Sequence, residues 1–481
     1  MANVKDATPL QKIAGPILTC AASVAGFYHV FLTFVYYIFD TSNIAFYNAR
    51  LMLLGIVAAC AVVYVAAALI SKTNRAEVMK GKILGFFCWE QVLLILLGVL
   101  YIVSMVSMNR IYVGDWIRAN LGGLIDGGVS ILILFPLGRQ LAGEDHRRFR
   151  KIAMNVTHVL VLGLAVLLGW VTVQILQEKT VLLPRGAIYM NNGKRLILNS
   201  NPNTGSMYIA VFLIVAVCML IWAKPLWLRI LYAASAIVFY IDVTLTNSRA
   251  PYMALMAAFA AIAAVCACAY IRGSNLKRAL AAIVAAAAVV LILSAAREGT
   301  YSFYKWCVGK GGEGTDEIRK MDVVEDESMA DRYHIWLLSL KVMVQDTRTF
   351  LLGVSHAGSR LFLTDANDGM DTFYSHNQFI EMGLCYGVFG FIAFTAWMAL
   401  IARDSIRLQI PKNGTVTLGA KIIPALVLAM TLNNLAEAML LYYGFFSGSV
   451  FVFFCGITAG EAEGLRMRPL RQVWNSVFHS A

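Results

Sequence analysis

Residues 372–391 read TFYSHNQFIEMGLCYGVFGF: a polar head, Ser375-His376-Asn377, runs straight into an apolar segment, rich in small residues, that continues to Ala402. Such a stretch is a membrane-spanning helix, because lipid offers no partner to backbone N–H and C=O groups and a helix satisfies them internally. Serine or asparagine alone would cap its start. The histidine between them needs another reason.

Outward from this segment, apolar runs of about 20 residues recur from end to end. The 481-residue chain is 59% hydrophobic and 14% charged, with a mean hydropathy of +0.69. Continuous apolarity without strict alternation argues for helices rather than a barrel, so the expected fold is an all-α integral membrane protein. Twelve spans are expected, near 13–38, 51–70, 83–107, 121–137, 152–176, 204–222, 226–245, 251–271, 280–295, 379–402, 422–440 and 444–459. The only break within 226–271 is Asn247-Ser248-Arg249-Ala250-Pro251, and Pro251 suits the first turn of a new helix. Small residues between Ala257 and Ala296 permit close helix packing.

Basic residues in the short connections set orientation. With the N-terminus inside, the inner connections carry Lys72, Arg75, Lys80 and Lys82; Arg139, Arg147, Arg148, Arg150 and Lys151; Arg272, Lys277 and Arg278; and Arg403, Arg407, Lys412 and Lys421. Arg466, Arg468 and Arg471 in the tail agree, so both termini are expected in the cytoplasm. The net charge of +12 is largely this bias; it suits an anionic leaflet and calls for no nucleic-acid partner. The first apolar run is too long for a signal-peptide core and reads as a retained anchor. Eight of the nine cysteines lie in expected spans, and no Cys/His pair has ligand spacing in a polar loop. Neither a disulfide framework nor a metal site is expected.

The expected organisation is nine helices in residues 1–295, an outer loop at 296–378, three helices in 379–460 and a cytoplasmic tail at 461–481. The loop is far longer than ordinary connections, which marks it as functional or disordered. Its middle is patterned: Trp336, Leu340 and Met343 share one helical face, with Asp331 as a candidate cap and Gly353 beyond the end. Arg332 lies one turn before Trp336, placed to stack on the indole or to enter a polar cavity. Arg249 sits at a tight turn between apolar helices, where facing hydrocarbon would cost roughly 2.5–3.5 kcal/mol at the bilayer centre. It is expected to find a polar cavity, an anion, the headgroups or Asp242. A second outer stretch, 185–210, carries Arg185, Lys194 and Arg195, then Asn199, Asn201 and Asn203 beside Pro202, a turn-forming composition.

Together the Ser248-Arg249 turn, Arg332 and Trp336 leading to Gly353, His376-Asn377 before a glycine-bearing helix, and Asn201-Pro202-Asn203 before a span resemble the O-antigen ligase and O-antigen polymerase superfamily. The resemblance covers roughly residues 199–395. It implies a GT-C-type glycosyltransferase of the cytoplasmic (inner) membrane, with the long loop between the ninth and tenth spans. The implied donor is a polyprenyl-diphosphate-linked glycan, and the acceptor is a hydroxyl of a lipid, saccharide or cell-wall component. No cofactor or metal is implied.

The residues suit that chemistry. A departing diphosphate gathers charge, and guanidinium groups offer it paired charge-assisted hydrogen bonds, a role for Arg249 and Arg332. His376 is the group able to take the acceptor's proton near neutral pH. Arg185, Asn201, Asn377, Trp336 and Glu381 are the candidate substrate contacts, although a cap serves equally for Asn377. Glu381 either holds the imidazole or pairs with another helix. The glycines at 383, 387 and 390 serve helix approach. A polymerase uses the same donor chemistry, and a protein-directed oligosaccharyltransferase differs only in acceptor. A lipid-linked oligosaccharide flippase is the alternative of another class, disfavoured by the absence of half-to-half correspondence.

Overall fold

The computed structural model describes residues 88–466, less 112–115, 143–146, 184–185, 192–194, 199–201, 309–326, 371, 373, 410–417 and 439–445, together with four positions between 52 and 59. The expected span at 13–38, all but those four positions of the span at 51–70, the tail beyond 466, Arg185 and Asn201 lie outside the described residues.

Helix α1 (Trp89–Ile111) is followed by α2 (Trp116–Val129), which passes through a π-helical turn at Ser130–Leu134 into α3 (Phe135–Leu141). Then come α4 (Arg147–Leu176), α5 (Pro202–Trp222), α6 (Leu226–Leu245), α7 (Arg249–Tyr270) and α8 (Asn275–Cys307). Three shorter helices, α9 (Glu327–Met343), α10 (Thr347–Leu352) and α11 (His356–Ala366), precede α12 (Gln378–Gln409), α13 (Leu418–Asn433) and α14 (Phe446–Arg466). Among the described residues eight helices are long and apolar enough to cross a membrane, and two shorter apolar helices join them. The protein is a helical membrane protein. The break at Asn247–Ser248 does separate α6 from α7.

Three expectations change. The connection between α4 and α5 contains strands: β1 (Val181–Leu183), β2 (Gly186–Asn191) and β3 (Arg195–Leu198) form an antiparallel sheet in the order β1-β2-β3, so the fold is not wholly α. The long loop starts later than expected, because α8 continues to Cys307, and the loop folds into α9, α10 and α11. Asp331 caps nothing, since α9 begins at Glu327 and encloses it.

The core is assembled from aromatic and aliphatic side chains of the spans. Phe394, Trp397 and Phe451 are fully buried, with Trp397 edge-on to Phe451 at 5.8 Å between ring centroids. α12 breaks at Gly387 (φ 70°), and there it meets the short segment after α10. A Cβ on Gly387 would lie 2.2 Å from the Leu351 carbonyl oxygen, and one on Gly353 (φ 71°) 2.3 Å from the Cys385 carbonyl carbon. Backbone contacts therefore replace side chains, with Val354 N–H donating to Leu384 C=O at 2.9 Å and Ser355 N–H to Cys385 C=O at 3.0 Å. This junction seats α9–α11 on α12, directly before the segment that carries His376.

Candidate active site

The site is centred on a carboxylate absent from the sequence-based candidates. Glu437 lies in the turn after α13 and is fully buried. A buried carboxylate must be paired and hydrogen-bonded, and four donors from three parts of the chain do this. Its Oε1 accepts from Arg332 Nη2 of α9 at 2.6 Å and from Asn203 Nδ2 of α5 at 2.9 Å. Its Oε2 accepts from the Tyr374 hydroxyl at 3.3 Å and faces His376 Nδ1 at 3.0 Å. Burial, then the Glu437 charge, push the Tyr374 hydroxyl well above its ordinary value, so it stays a donor.

His376 itself is held in an uncommon conformation. Its φ of 54° lies in the left-handed region, costly for a residue with a Cβ, and both flanks pin it there. Ser375 N–H donates to Glu381 Oε2 at 2.8 Å, and the Ser375 hydroxyl donates to the Asn377 carbonyl at 2.9 Å. Asn377 Oδ1 accepts from Phe379 N–H at 2.9 Å and Ile380 N–H at 3.3 Å, while its Nδ2 donates to Leu435 C=O at 3.1 Å. Asn377 is thus the helix cap, and it ties the His376 segment to the Glu437 turn. With Nδ1 directed at Glu437, Nε2 is the imidazole nitrogen left for a substrate. The histidine side chain is 27% exposed and the Arg332 side chain 16%, so both are reachable from outside the hub.

Arg332 gives Glu437 one of its nitrogens, and the Trp336 indole N–H is buried with no acceptor among the described residues. Glu381 does not hold the His376 imidazole; it binds the Ser375 amide and, through Oε1, accepts from Cys385 Sγ at 3.2 Å. The Arg249 turn joins through its neighbour. The Ser248 hydroxyl donates to Asn203 Oδ1 at 2.6 Å, giving a line Ser248, Asn203, Glu437. Arg249 follows as the first residue of α7 and is half-buried. Asp242 is not its partner: its Oδ1 accepts from Thr172 Oγ1 of α4 at 2.8 Å.

Residues 234–395 match the family model Wzy_C, described as O-antigen ligase. The match covers about a third of the chain and supports the O-antigen ligase superfamily for that segment. It contains Arg249, Arg332, Trp336, His376, Asn377 and Glu381, whereas Asn203 and Glu437 lie on either side of it. A comparison with curated proteins finds no match. At the coarse level the match supports a membrane enzyme of the glycosyltransferase kind. Glu437 comes from beyond the end of the matched segment and Asn203 from before its start, so that segment does not hold the whole cluster.

Proposed function

We propose that the protein is a membrane glycosyltransferase of the O-antigen ligase type. It transfers a glycan from a polyprenyl diphosphate to an acceptor hydroxyl on the outer face of the cytoplasmic membrane. The observation that supports this best is the meeting of Arg332 and His376 on Glu437, an anion-binding group beside a candidate base, at the same face as the Arg249 turn. Basic residues at the remote ends of the helices, such as Arg139, Arg272 and Arg403, support a cytoplasmic assignment of the opposite face.

In this reading the acceptor hydroxyl gives its proton to His376 Nε2 as its oxygen bonds to the anomeric carbon. The bond from that carbon to the diphosphate breaks, and the electron pair leaves with the phosphate oxygen. Glu437 keeps the Nδ1 proton in place and offsets the imidazolium charge, as a carboxylate behind a catalytic histidine does in other bases. Arg332 turns its remaining N–H groups to the diphosphate, and Arg249 supplies the second guanidinium. Both stabilise charge that is larger in the transition state than in the bound donor. Asn377, Glu381 and Tyr374 hold this arrangement in register, while Trp336, Arg185 and Asn201 remain candidate contacts to the glycan.

The test is transfer by purified protein in lipid, given a synthetic prenyl-diphosphate glycan and separate lipid, saccharide and peptide acceptors. Glycosylated acceptor should appear with release of prenyl diphosphate, unchanged by chelator, and Arg332→Ala should raise the donor concentration needed. No transfer to any acceptor by wild-type protein, or donor dependence unaltered in Arg332→Ala, would reject the reading. A product lengthened on a second lipid-linked glycan would mark a polymerase instead.

A further inference from the structure

α8 is a peripheral helix, and its buried residues are Arg297, Tyr301 and Tyr304, all near its far end. An arginine buried in a membrane-spanning helix is expensive and marks a functional position. Arg297 is only 6% exposed, and its contacts are specific. Its Nη2 donates to Asn247 Oδ1 at 2.9 Å, and its guanidinium carbon stands 5.2 Å from the centre of the Tyr252 ring. Those two residues bracket Arg249 on either side of the turn, one before Ser248 and one in the first turn of α7. Asn247 itself has φ 51°, a left-handed conformation that its neighbours must hold in place.

The grip extends along one face of α8 at helical spacing. The Tyr252 hydroxyl donates to Leu293 C=O at 2.6 Å, and the Tyr301 hydroxyl donates to Leu245 C=O at 3.3 Å. Positions 293, 297 and 301 are successive turns of the same face and engage residues 252, 247 and 245 in order. The face therefore splints the whole turn between α6 and α7 from outside. The splinted turn reaches the Glu437 hub through the Ser248 hydroxyl and Asn203.

We propose that Arg297 is a positioning residue of the transferase. It fixes the Asn247 and Tyr252 flanks so that the Arg249 guanidinium is presented to the donor diphosphate. The inference rests on the glycosyltransferase reading above. Its consequence is a catalytic defect when Arg297 is changed, carried chiefly by Arg249. A displacement of about 1 Å at a charge-stabilising group costs on the order of 10²-fold, so Arg297→Gln should lower turnover by about 10- to 100-fold.

A double-mutant cycle tests this with the full-length protein in lipid and a prenyl-diphosphate glycan donor. In an Arg249→Lys background, Arg297→Gln should add less than about 3-fold, because the group it positions is already lost. Asn247→Gly tolerates the left-handed backbone but lacks the Arg297 acceptor, so it should reproduce the turnover defect with normal accumulation in the membrane. It keeps the test decisive if Arg297→Gln does not accumulate. Losses that multiply between 297 and 249, or wild-type turnover in Asn247→Gly, overturn the positioning role. Inactive wild-type protein instead removes the transferase reading on which it rests.

Discussion

Two Ser-His pairs occupy the segment between α9 and α12, and the structure uses them in opposite ways. Ser375-His376 places its ring beside Glu437, with the side chain open enough to meet a ligand. Ser355-His356 opens α11 near the Gly353 junction, with the ring 6.5 Å from that of Tyr101 and Nδ1 wholly buried. Each pair contains a left-handed residue, His376 at φ 54° and Ser355 at φ 62°. Strain alone therefore does not pick out the candidate base. What separates them is the carboxylate: Glu437 bonds the first imidazole directly, whereas burial governs the second and pushes it down to about 4, opposed only by the charge of Glu381.

The largest effect that would break this contrast is on transfer. His376→Ala should lower the rate of glycan transfer in lipid by about 10²- to 10⁴-fold, the usual contribution of a positioned base. Glu437→Gln keeps the shape but loses the charge, and a loss of about 10²-fold is expected for it. His356→Gln should stay within about 3-fold of wild type at neutral pH, since no chemistry is asked of it. Well-folded His356→Gln protein as inactive as His376→Ala would erase the distinction.

A smaller effect sharpens it through stability. A histidine whose folded pKa is about 4 and whose unfolded value is 6.5 resists protonation in the native state. The unfolded chain then binds the extra proton, so stability is complete above pH 6.5 and falls as pH drops from 6.5 towards 4, by at most about 3 kcal/mol. Thermal unfolding in detergent should show this acid loss in wild type and a flatter profile in His356→Gln. An unchanged acid slope in the variant would assign the loss to other groups.

How much of this was legible in the sequence follows from the range of each interaction. Among the described residues the spans were legible because hydropathy is local, and even the slender break at Asn247–Pro251 falls between helices. Arg332 and His376 were found as a charged residue on a patterned helix and an unexplained histidine. Glu437 was passed over because its partners sit on α5, on α9 and before α12, far away in the chain. One local signal did exist, an acid inside the apolar run LAEAML at 435–440. The sheet had a cue as well, Asn192-Gly193 between two apolar stretches. Arg297 lay just past the expected end of its span, where it read as loop.

The finest distinction between the two pairs is the residue that follows each histidine. After His376 comes Asn377, which caps its own helix through Phe379 and Ile380 and reaches Leu435 beside the hub. After His356 comes Ala357, which offers no cap; Ser355 Oγ accepts from Gly358 N–H at 3.3 Å, and Asn120 of α2 accepts from Ala357 N–H at 2.9 Å. Each pair thus combines a local cap with a bond to a distant element, and that of Asn377 leads to the Glu437 turn. Asn377→Ala should cost about 1 kcal/mol of stability, the ordinary worth of a cap. It should also lower transfer, because the bond to Leu435 helps hold His376 against Glu437. Asn377→Asp keeps the cap but loses the donor to Leu435, so it should recover the melting temperature without the rate. Recovery of both would make Asn377 a cap and nothing more.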